Sequence, residues 1–460
     1  MSPAVQDRRN SQSDAAGGKP TNPASDKSSD ARNGGAGGES RIACFQVLRL
    51  VDNGRYLDEA LRQARHLPDR DRRFVRLLAA TCLRRADQID SILADLMSRQ
   101  PSGKQRDAMI ILRMGAAQLL FLDTGAHAAV NSTVELMRSS GFDRLTGLTN
   151  AVMRRLAREA AERLAQTTAD ENLPDWLRDS WHRQFGKSAT TAIMDLVMEP
   201  PTLDITPAQD ISSWADSLDG TIINDHTIRR AFDGDPAELP GFNDGAWWIQ
   251  DAAAALPATL FGDLAGKDVI DLCAAPGGKT AQLISQGATV TAIDSSAKRL
   301  KTLRGNLARL GMKAQCVTAD GRSYDPGRTV DAVLIDAPCS ATGTLRRRPD
   351  ILRGRQADDI KPLAILQADL IRQAATWLKP GGCLVYATCS LQFEEGEQIA
   401  DSILADESVA LTSDPVTSEE AGAFAAAVTS TGALRLRPDM FAEIGGVDGF
   451  FVARFRSVGG

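Results

Sequence analysis

Residues 267–294 read KDVIDLCAAPGGKTAQLISQGATVTAID, and their pattern decides the fold class. A short β-branched run, VIDLC, leads through a glycine loop into a helix-compatible segment, and TVTAID follows as a second strand. The alternation continues downstream. A helix over 296–310 carries Leu300, Leu303, Leu307 and Leu310 on one face, and AQCVTA, AVLIDAPC, a further helix and CLVYATCS come after it. Strand and helix in regular turn predict a doubly wound, Rossmann-like parallel sheet with the leucine face packed on it.

The run from Asp271 to Thr280 ends the first strand and opens the first helix, where open α/β sheets bind nucleotide-like ligands. Its loop comprises Cys273, Ala274, Ala275, Pro276, Gly277, Gly278 and Lys279. The paired glycines let backbone approach a ligand where a Cβ would collide. The run is neither G-x-G-x-x-G nor G-x-x-x-x-G-K-[ST], which argues against a dinucleotide or a triphosphate. Asp294 ends the second strand, placed to accept both hydroxyls of a ribose. Asp320 closes the third, within reach of an adenine edge, and Asp336 closes the fourth. Acids at successive strand ends repel polyphosphate and suit a cationic, adenosine-bearing ligand. S-adenosylmethionine, with its sulfonium, is the expected cofactor. A lone strand-end Asp is commonly a helix N-cap, and Asp294-Ser295-Ser296 fits that alternative too. Three such acids with the glycine loop favour the ligand.

Two of the seven cysteines, Cys339 in Asp336-Ala-Pro-Cys339-Ser and Cys389 in Tyr386-Ala-Thr-Cys389-Ser, fall at neighbouring strand tips on the ligand edge. Cys44, Cys82, Cys316 and Cys383 read instead as buried packing residues. Carbon 5 of cytosine is too weak a nucleophile to take a methyl group directly, so an enzyme must first add a nucleophile to carbon 6. A thiolate does this well, but a free cysteine is only about 3% thiolate at pH 7 and needs local activation. One sulfur would form the adduct and the other would take the carbon 5 proton; spacing does not rank the two. Asp336 would hydrogen-bond the ring's nitrogen 3 edge, provided that it is protonated or shares a proton with the base.

At 460 residues and 43% hydrophobic content the chain divides into three domains, at about 100–200 residues each. Neither an apolar leader nor a run of about 18 apolar residues occurs, so a cytoplasmic protein with no membrane partner is expected. An odd cysteine count without a C-x-x-C pair argues against a disulfide framework. His66, His127, His182 and His226 are too scattered for metal ligation, so no metal is expected. The net charge of -6 is uneven: residues 41–166 hold 21 Lys+Arg against 14 Asp+Glu, and residues 167–460 hold 27 against 40. A basic segment on an acidic chain marks a localised polyanion-binding surface, unless its arginines merely coat solvated helix faces.

Residues 1–40 lack aromatic residues, carry five charges of each sign, and read as a disordered tail. Residues 41–166 have helical periodicity throughout, from the stripe Ile42, Phe45, Val47 and Leu48 to the buried stretch Ile110, Ile111, Met114, Leu119 and Leu120. Residues 167–241 form a small α/β linker domain, with helices around Trp176–Phe185 and Ala189–Met198 and a strand over Thr202–Thr206. Residues 242–460 are the catalytic domain, opening in FNDGAWWIQDAAAALPATLF as a turn and a helix.

The blocks SRIACFQVLRLV, DRRFVRLLAATCLRR, ILRMGAAQLLFL, HAAVNSTVELMR and GLTNAVMRRL resemble, in order, the RNA-binding helical domain of the NusB antitermination-factor type. DLCAAPGGKT, DAPCSATGTLRRRPD, YATCS and DGFFVARF closely resemble the NOP2/Sun family of RNA 5-methylcytosine methyltransferases. With the NusB-like domain in front, the match over about residues 41–456 is to the bacterial Sun/Fmu branch. That resemblance implies that Cys389 is the nucleophile and that Cys339 assists release of the adduct. It implies that the Cys273–Lys279 loop with Asp294, Asp320 and Asp336 lines the S-adenosylmethionine site, and that the partner is RNA, a cytosine of 16S ribosomal RNA. A monomer is expected. Arg346-Arg347-Arg348 should hold phosphates near a flipped base. One departure stands out: where family members commonly carry a basic residue and Asn after paired prolines, this chain reads Leu203-Asp204-Ile205-Thr206, an acid that weakens any RNA contact there or shifts target choice. A tRNA cytosine, a small-molecule acceptor on the same fold, and a catalytically idle RNA-binding assembly factor are the alternative functions.

Overall fold

In the computed structural model, residues 30–122, 124–231 and 234–458 are described; most of the expected tail, residues 1–29, lies outside them. The first helix starts at Asp30 and runs to Asp52, so it begins before the Arg41 boundary. It packs with helices Asp69–Arg84, Ala86–Leu96, Ala108–Leu120, Ala126–Ser139 and Thr146–Leu164 around one apolar core that includes Val47, Leu78, Ile89, Leu93, Ile111, Met114, Met137 and Leu156. Of the opening stripe, Phe45, Val47 and Leu48 are buried, whereas Ile42 is 39% exposed. The Ala108–Leu120 helix sits at the centre. Gly115 permits this, since a Cβ there would lie 2.6 Å from Thr133 Oγ1 and 2.7 Å from Met153 Sδ. Burying each large aliphatic side chain of this core contributes about 1.5–3 kcal/mol.

In the segment expected as a linker domain, helices Asp175–Phe185 and Lys187–Val197 share a core with Leu345, Ile351, Leu352 and Leu391, and a four-stranded antiparallel sheet has a separate core of its own. Its strands are β1 (Leu203–Pro207), β2 (Thr221–Asn224), β3 (Thr227–Arg230) and β4 (Trp247–Ile249), in the order β2-β3-β1-β4. Strand β4 lies beyond the expected 241/242 boundary, where only a turn and a helix were expected. Three residues are too few to show a period; burial of Trp247 against Ile205, Leu218 and Ile228 recruits them.

The catalytic domain holds β5 (Asp268–Leu272), β6 (Thr289–Asp294), β7 (Gln315–Thr318), β8 (Val330–Asp336), β9 (Leu378–Thr388), β10 (Leu411–Ser413), β11 (Leu434–Leu436) and β12 (Phe450–Ser457). The order is β10-β12-β9-β8-β5-β6-β7, with β11 also on β12. Strands β5 to β9 are parallel, as the alternating pattern requires, and Leu300, Leu303 and Leu307 pack beneath with Ala292 and Trp248. The sheet is not wholly parallel, however. Strand β12 runs antiparallel to β9, and β10 and β11 run antiparallel to β12. Residues of β12 are buried on both faces, Phe451 and Phe455 in one core and Phe450 and Val452 in the other, so a near-continuous apolar run carries no sign of strand direction. No helix among the described residues is long and apolar enough to cross a membrane.

Candidate active site

The loop after β5 turns through Cys273 in the left-handed region (φ 65°) and Gly277 (φ 107°), which precedes the helix Gly278–Ser285. A Cβ on Gly277 would press to 3.0 Å on Leu303, so close packing and positive φ both call for glycine here. Beneath the loop Asp271 is fully buried. One oxygen accepts from Thr280 Oγ1 at 2.5 Å, and the other, Oδ1, has no protein partner. Burial pushes this carboxyl up to about 7. Burial also raises the Cys273 thiol, reinforced by Asp294 and Asp336. Lys279 is buried and donates to Asp336 Oδ2 at 2.7 Å, with its ammonium 5.2 Å from the Phe450 ring centroid.

Asp294 ends β6 and does not cap the following helix, because Ser296 does, accepting from Arg299 N at 3.3 Å. The buried Asp294 accepts from Ser296 N at 2.9 Å and from Ala275 N at 3.3 Å, and pairs with Arg299 at 3.2 Å. It thereby holds the glycine loop against the end of β6. Asp336 ends β8 as expected. Asp320 follows Ala319, whose N–H donates to Asp294 O at 3.3 Å, but its own carboxylate is held differently. It lies two residues past the end of β7, 44% exposed, bound to the Arg322 side chain at 2.6 Å and to its N–H at 3.0 Å. Those hydrogen bonds hold its carboxyl at about 2.

Beyond β8 and β9 the two cysteines meet, with Cys339 Sγ 3.5 Å from Cys389 Sγ. Cys339 is buried and Cys389 only half-buried. Contact with Cys389 and burial push the Cys339 thiol well above the ordinary cysteine range. Ser340 and Ser390, which follow the cysteines, both hydrogen-bond the fully buried Glu395. Glu395 was not singled out from the sequence; the repeated Cys-Ser pair is the signal that could have led to it. Cys44, Cys82 and Cys383 are buried as expected, whereas Cys316 is half-buried on β7 at the sheet edge.

The arginine run is not an open phosphate clamp. Arg346 is 4% exposed, and its carbonyl accepts from Arg84 Nη2 of the helical domain at 2.8 Å. Arg347 pairs with buried Asp448 and lies 3.8 Å from Asp251. Arg348 lies 3.5 Å from Asp350 and 5.0 Å from the Tyr56 ring centroid, while Asp350 also accepts from Leu57 N at 3.3 Å. The segment therefore touches the helical domain through the Arg346 carbonyl, the Asp350 carboxylate and the stacking of Arg348 on Tyr56, while Arg347 is held by carboxylates of its own domain. Asp204 is likewise structural: buried, it receives two 2.6 Å bonds from Arg229 and one of 3.0 Å from Ala252 N. Arg229 extends this tie to the carbonyls of Ile444 and Gly446 at 2.6 Å.

Two family models match, one described as 16S rRNA methyltransferase RsmB/F over residues 261–456 and one as the NusB family over residues 38–158. Ribosomal RNA small subunit methyltransferase B of Vibrio cholerae is 36% identical over 378 residues, covering 77% of this chain and 86% of that protein. Its namesake from Xanthomonas campestris is 35% identical over 391 residues, covering 80% and 88%. Among solved structures, PH0851 shares the fold at a TM-score of 0.72 and 20% identity, covering 91% of this chain and 98% of its own. NSun6 from Pyrococcus horikoshii with SFG does so at 0.54 and 21%, covering 63% and 100%. With likeness running through both the helical and the sheet domains, the chain belongs to the RsmB/F family of S-adenosylmethionine-dependent RNA methyltransferases, with a NusB domain at its N-terminal side.

Proposed function

We propose that this chain methylates carbon 5 of a cytosine in 16S ribosomal RNA through a temporary bond between Cys389 Sγ and carbon 6 of the ring. The observation that carries the reading is the 3.5 Å approach of Cys339 and Cys389 beside a glycine loop that Lys279 ties to the end of β8. S-adenosylmethionine, when bound, supplies the methyl group. The residues fit it: the loop Cys273–Lys279 offers backbone with little side-chain bulk, Asp294 and Asp336 bring carboxylate oxygens to the strand ends although each is ion-paired, with Arg299 and Lys279, and Asp271 keeps an unpartnered buried oxygen beneath the loop. Asp320, more exposed, would act at the rim.

Cys389 is the more accessible sulfur and adds as thiolate to carbon 6, moving an electron pair toward carbon 5. Carbon 5 then takes the methyl group, the pair of the broken methyl–sulfur bond staying with the donor's sulfur, and for a moment holds both methyl and proton. Cys339, its own proton having passed to solvent, takes the carbon 5 proton. The ring double bond reforms, the carbon 6 to sulfur bond breaks, and its electron pair returns to Cys389. Burial and the charge of Glu395, which remain when Cys389 is bonded to carbon 6, favour proton uptake by Cys339 in that step. Asp336, at the end of β8 and ion-paired with Lys279, would meet the polar edge of the base and must share a proton with it to bind nitrogen 3. Bisulfite sequencing of 16S ribosomal RNA tests the reading. One protected cytosine should disappear in cells lacking the gene and return with it; an unchanged pattern would sink the proposal.

A further inference from the structure

Strands β8 and β9 stop at Asp336 and Thr388, so both cysteines lie on loops past the ordered ladder, which ends with Ala337 N donating to Ala387 O at 2.9 Å. One buried carboxylate reaches both loops. Glu395 Oε1 accepts from Ser340 N at 2.8 Å and from Gln367 Nε2 at 3.1 Å. Its Oε2 accepts from the hydroxyls of Ser340 and Ser390, the latter at 2.6 Å. The two serine hydroxyls are themselves 3.0 Å apart. Four donors saturate a carboxylate, leaving no lone pair for substrate. The carboxylate is anchored in turn: Gln367 Nε2 also donates to Pro338 O at 2.8 Å, and the Tyr386 hydroxyl lies 2.7 Å from the Glu395 carbonyl.

A fully buried charge is costly unless every partner is in place, and here every partner belongs to a cysteine loop or braces one. We infer that Glu395 is a positioning residue that clamps the Cys339 loop to the Cys389 loop and so sets the contact between the two sulfurs. The inference rests on the reading of those cysteines as the reacting pair. Glu395 does not touch the base; it acts through Ser340 and Ser390. Its negative charge also adds to the causes that raise the Cys339 thiol, behind contact with Cys389, burial and the charge of Cys389.

The test uses the reduced full-length protein and two readouts. Diamide oxidises two adjacent thiols to a disulfide while itself being reduced to the hydrazine, so the rate of Cys339–Cys389 cross-linking, read by peptide mass spectrometry, reports sulfur proximity without any RNA. Single-turnover methyl transfer to ribosomal RNA reports the chemistry, and titration of S-adenosylmethionine reports an intact fold. Glu395→Ala should cross-link several-fold more slowly and transfer methyl about 100-fold more slowly, with donor affinity kept, since a displacement of about 1 Å can cost that much. Glu395→Gln should recover part of both rates, because its carbonyl still accepts from a serine. Should Glu395→Ala fail to fold, the S340A/S390A double variant repeats the test with the carboxylate present. A donor-binding variant that cross-links at the wild-type rate would overturn the clamp. Slower cross-linking with unchanged methylation would leave the clamp standing and overturn the catalytic role of the cysteines.

Discussion

Lys279 donates to Asp336 across 2.7 Å, joining the glycine loop after β5 to the strand end that leads to Cys339. The lysine is buried and the aspartate about a third exposed, so the pair links the cofactor loop to the cysteine loop with one desolvated end.

Removing the lysine should therefore disturb both loops. Lys279→Met is expected to slow methyl transfer at least tenfold and weaken donor binding. It should cost about 2–3 kcal/mol of stability, below the roughly 3–5 kcal/mol of fully buried pairs because Asp336 keeps some solvent. Single-turnover methyl transfer, donor titration and urea denaturation check the three outcomes.

Cys389→Ala should abolish methylation, whereas Cys339→Ala should leave protein bound to RNA as an adduct that survives denaturing gel electrophoresis. The opposite outcome at either position would reverse the assignment of the pair.

Stability should fall as pH rises through neutrality, in part because of Asp271. Its carboxyl, held up to about 7 by burial, has an ordinary value of about 3.9 when unfolded. Its contribution is then fully present below about pH 4 and lost as pH climbs through about 7. Asp448, raised to about 7 chiefly by burial, titrates in the same range. Asp271→Asn keeps an acceptor for Thr280 and should flatten, without removing, the fall in melting temperature between pH 5.5 and 8. Equal slopes for variant and wild type would refute this.

Arg347→Ala should act on stability and not on RNA affinity. It leaves the buried carboxylate of Asp448 unpaired, at a cost of about 2–5 kcal/mol. The slope of log affinity against log salt should stay put. A lost phosphate contact would lower it by about 0.7–0.9, and such a drop would restore the phosphate-clamp reading.

Much of the catalytic domain was legible residue by residue. Leu300, Leu303 and Leu307 recur at helical spacing, and that period alone puts them on the buried face. The run DLCAAPGGKT announces a strand, a tight loop and a helix, because Gly277 needs a conformation and a closeness that side chains resist. The meeting of Cys339 and Cys389 follows from both lying just past neighbouring parallel strands.

Other features had no local signature. Asp320 reads like Asp294 in the sequence, yet one is solvated against Arg322 and the other is buried in the loop cluster. The direction of β12 and the existence of β4 depend on partners far along the chain. The chain by itself determined the alternating helices and strands of the parallel sheet, where the nucleotide-type loop falls, and which sulfurs reach the reactive edge, since these depend on period, turn chemistry and strand order. Only the tertiary structure decided what each charge faces. Arg347 finds Asp448 across 101 positions, Arg84 finds the Arg346 carbonyl across 262, and Glu395 finds Ser340 across 55. A charge reads the same in sequence whether it meets water, phosphate or a buried carboxylate, and desolvation, which separates those cases, arises only when distant segments pack together.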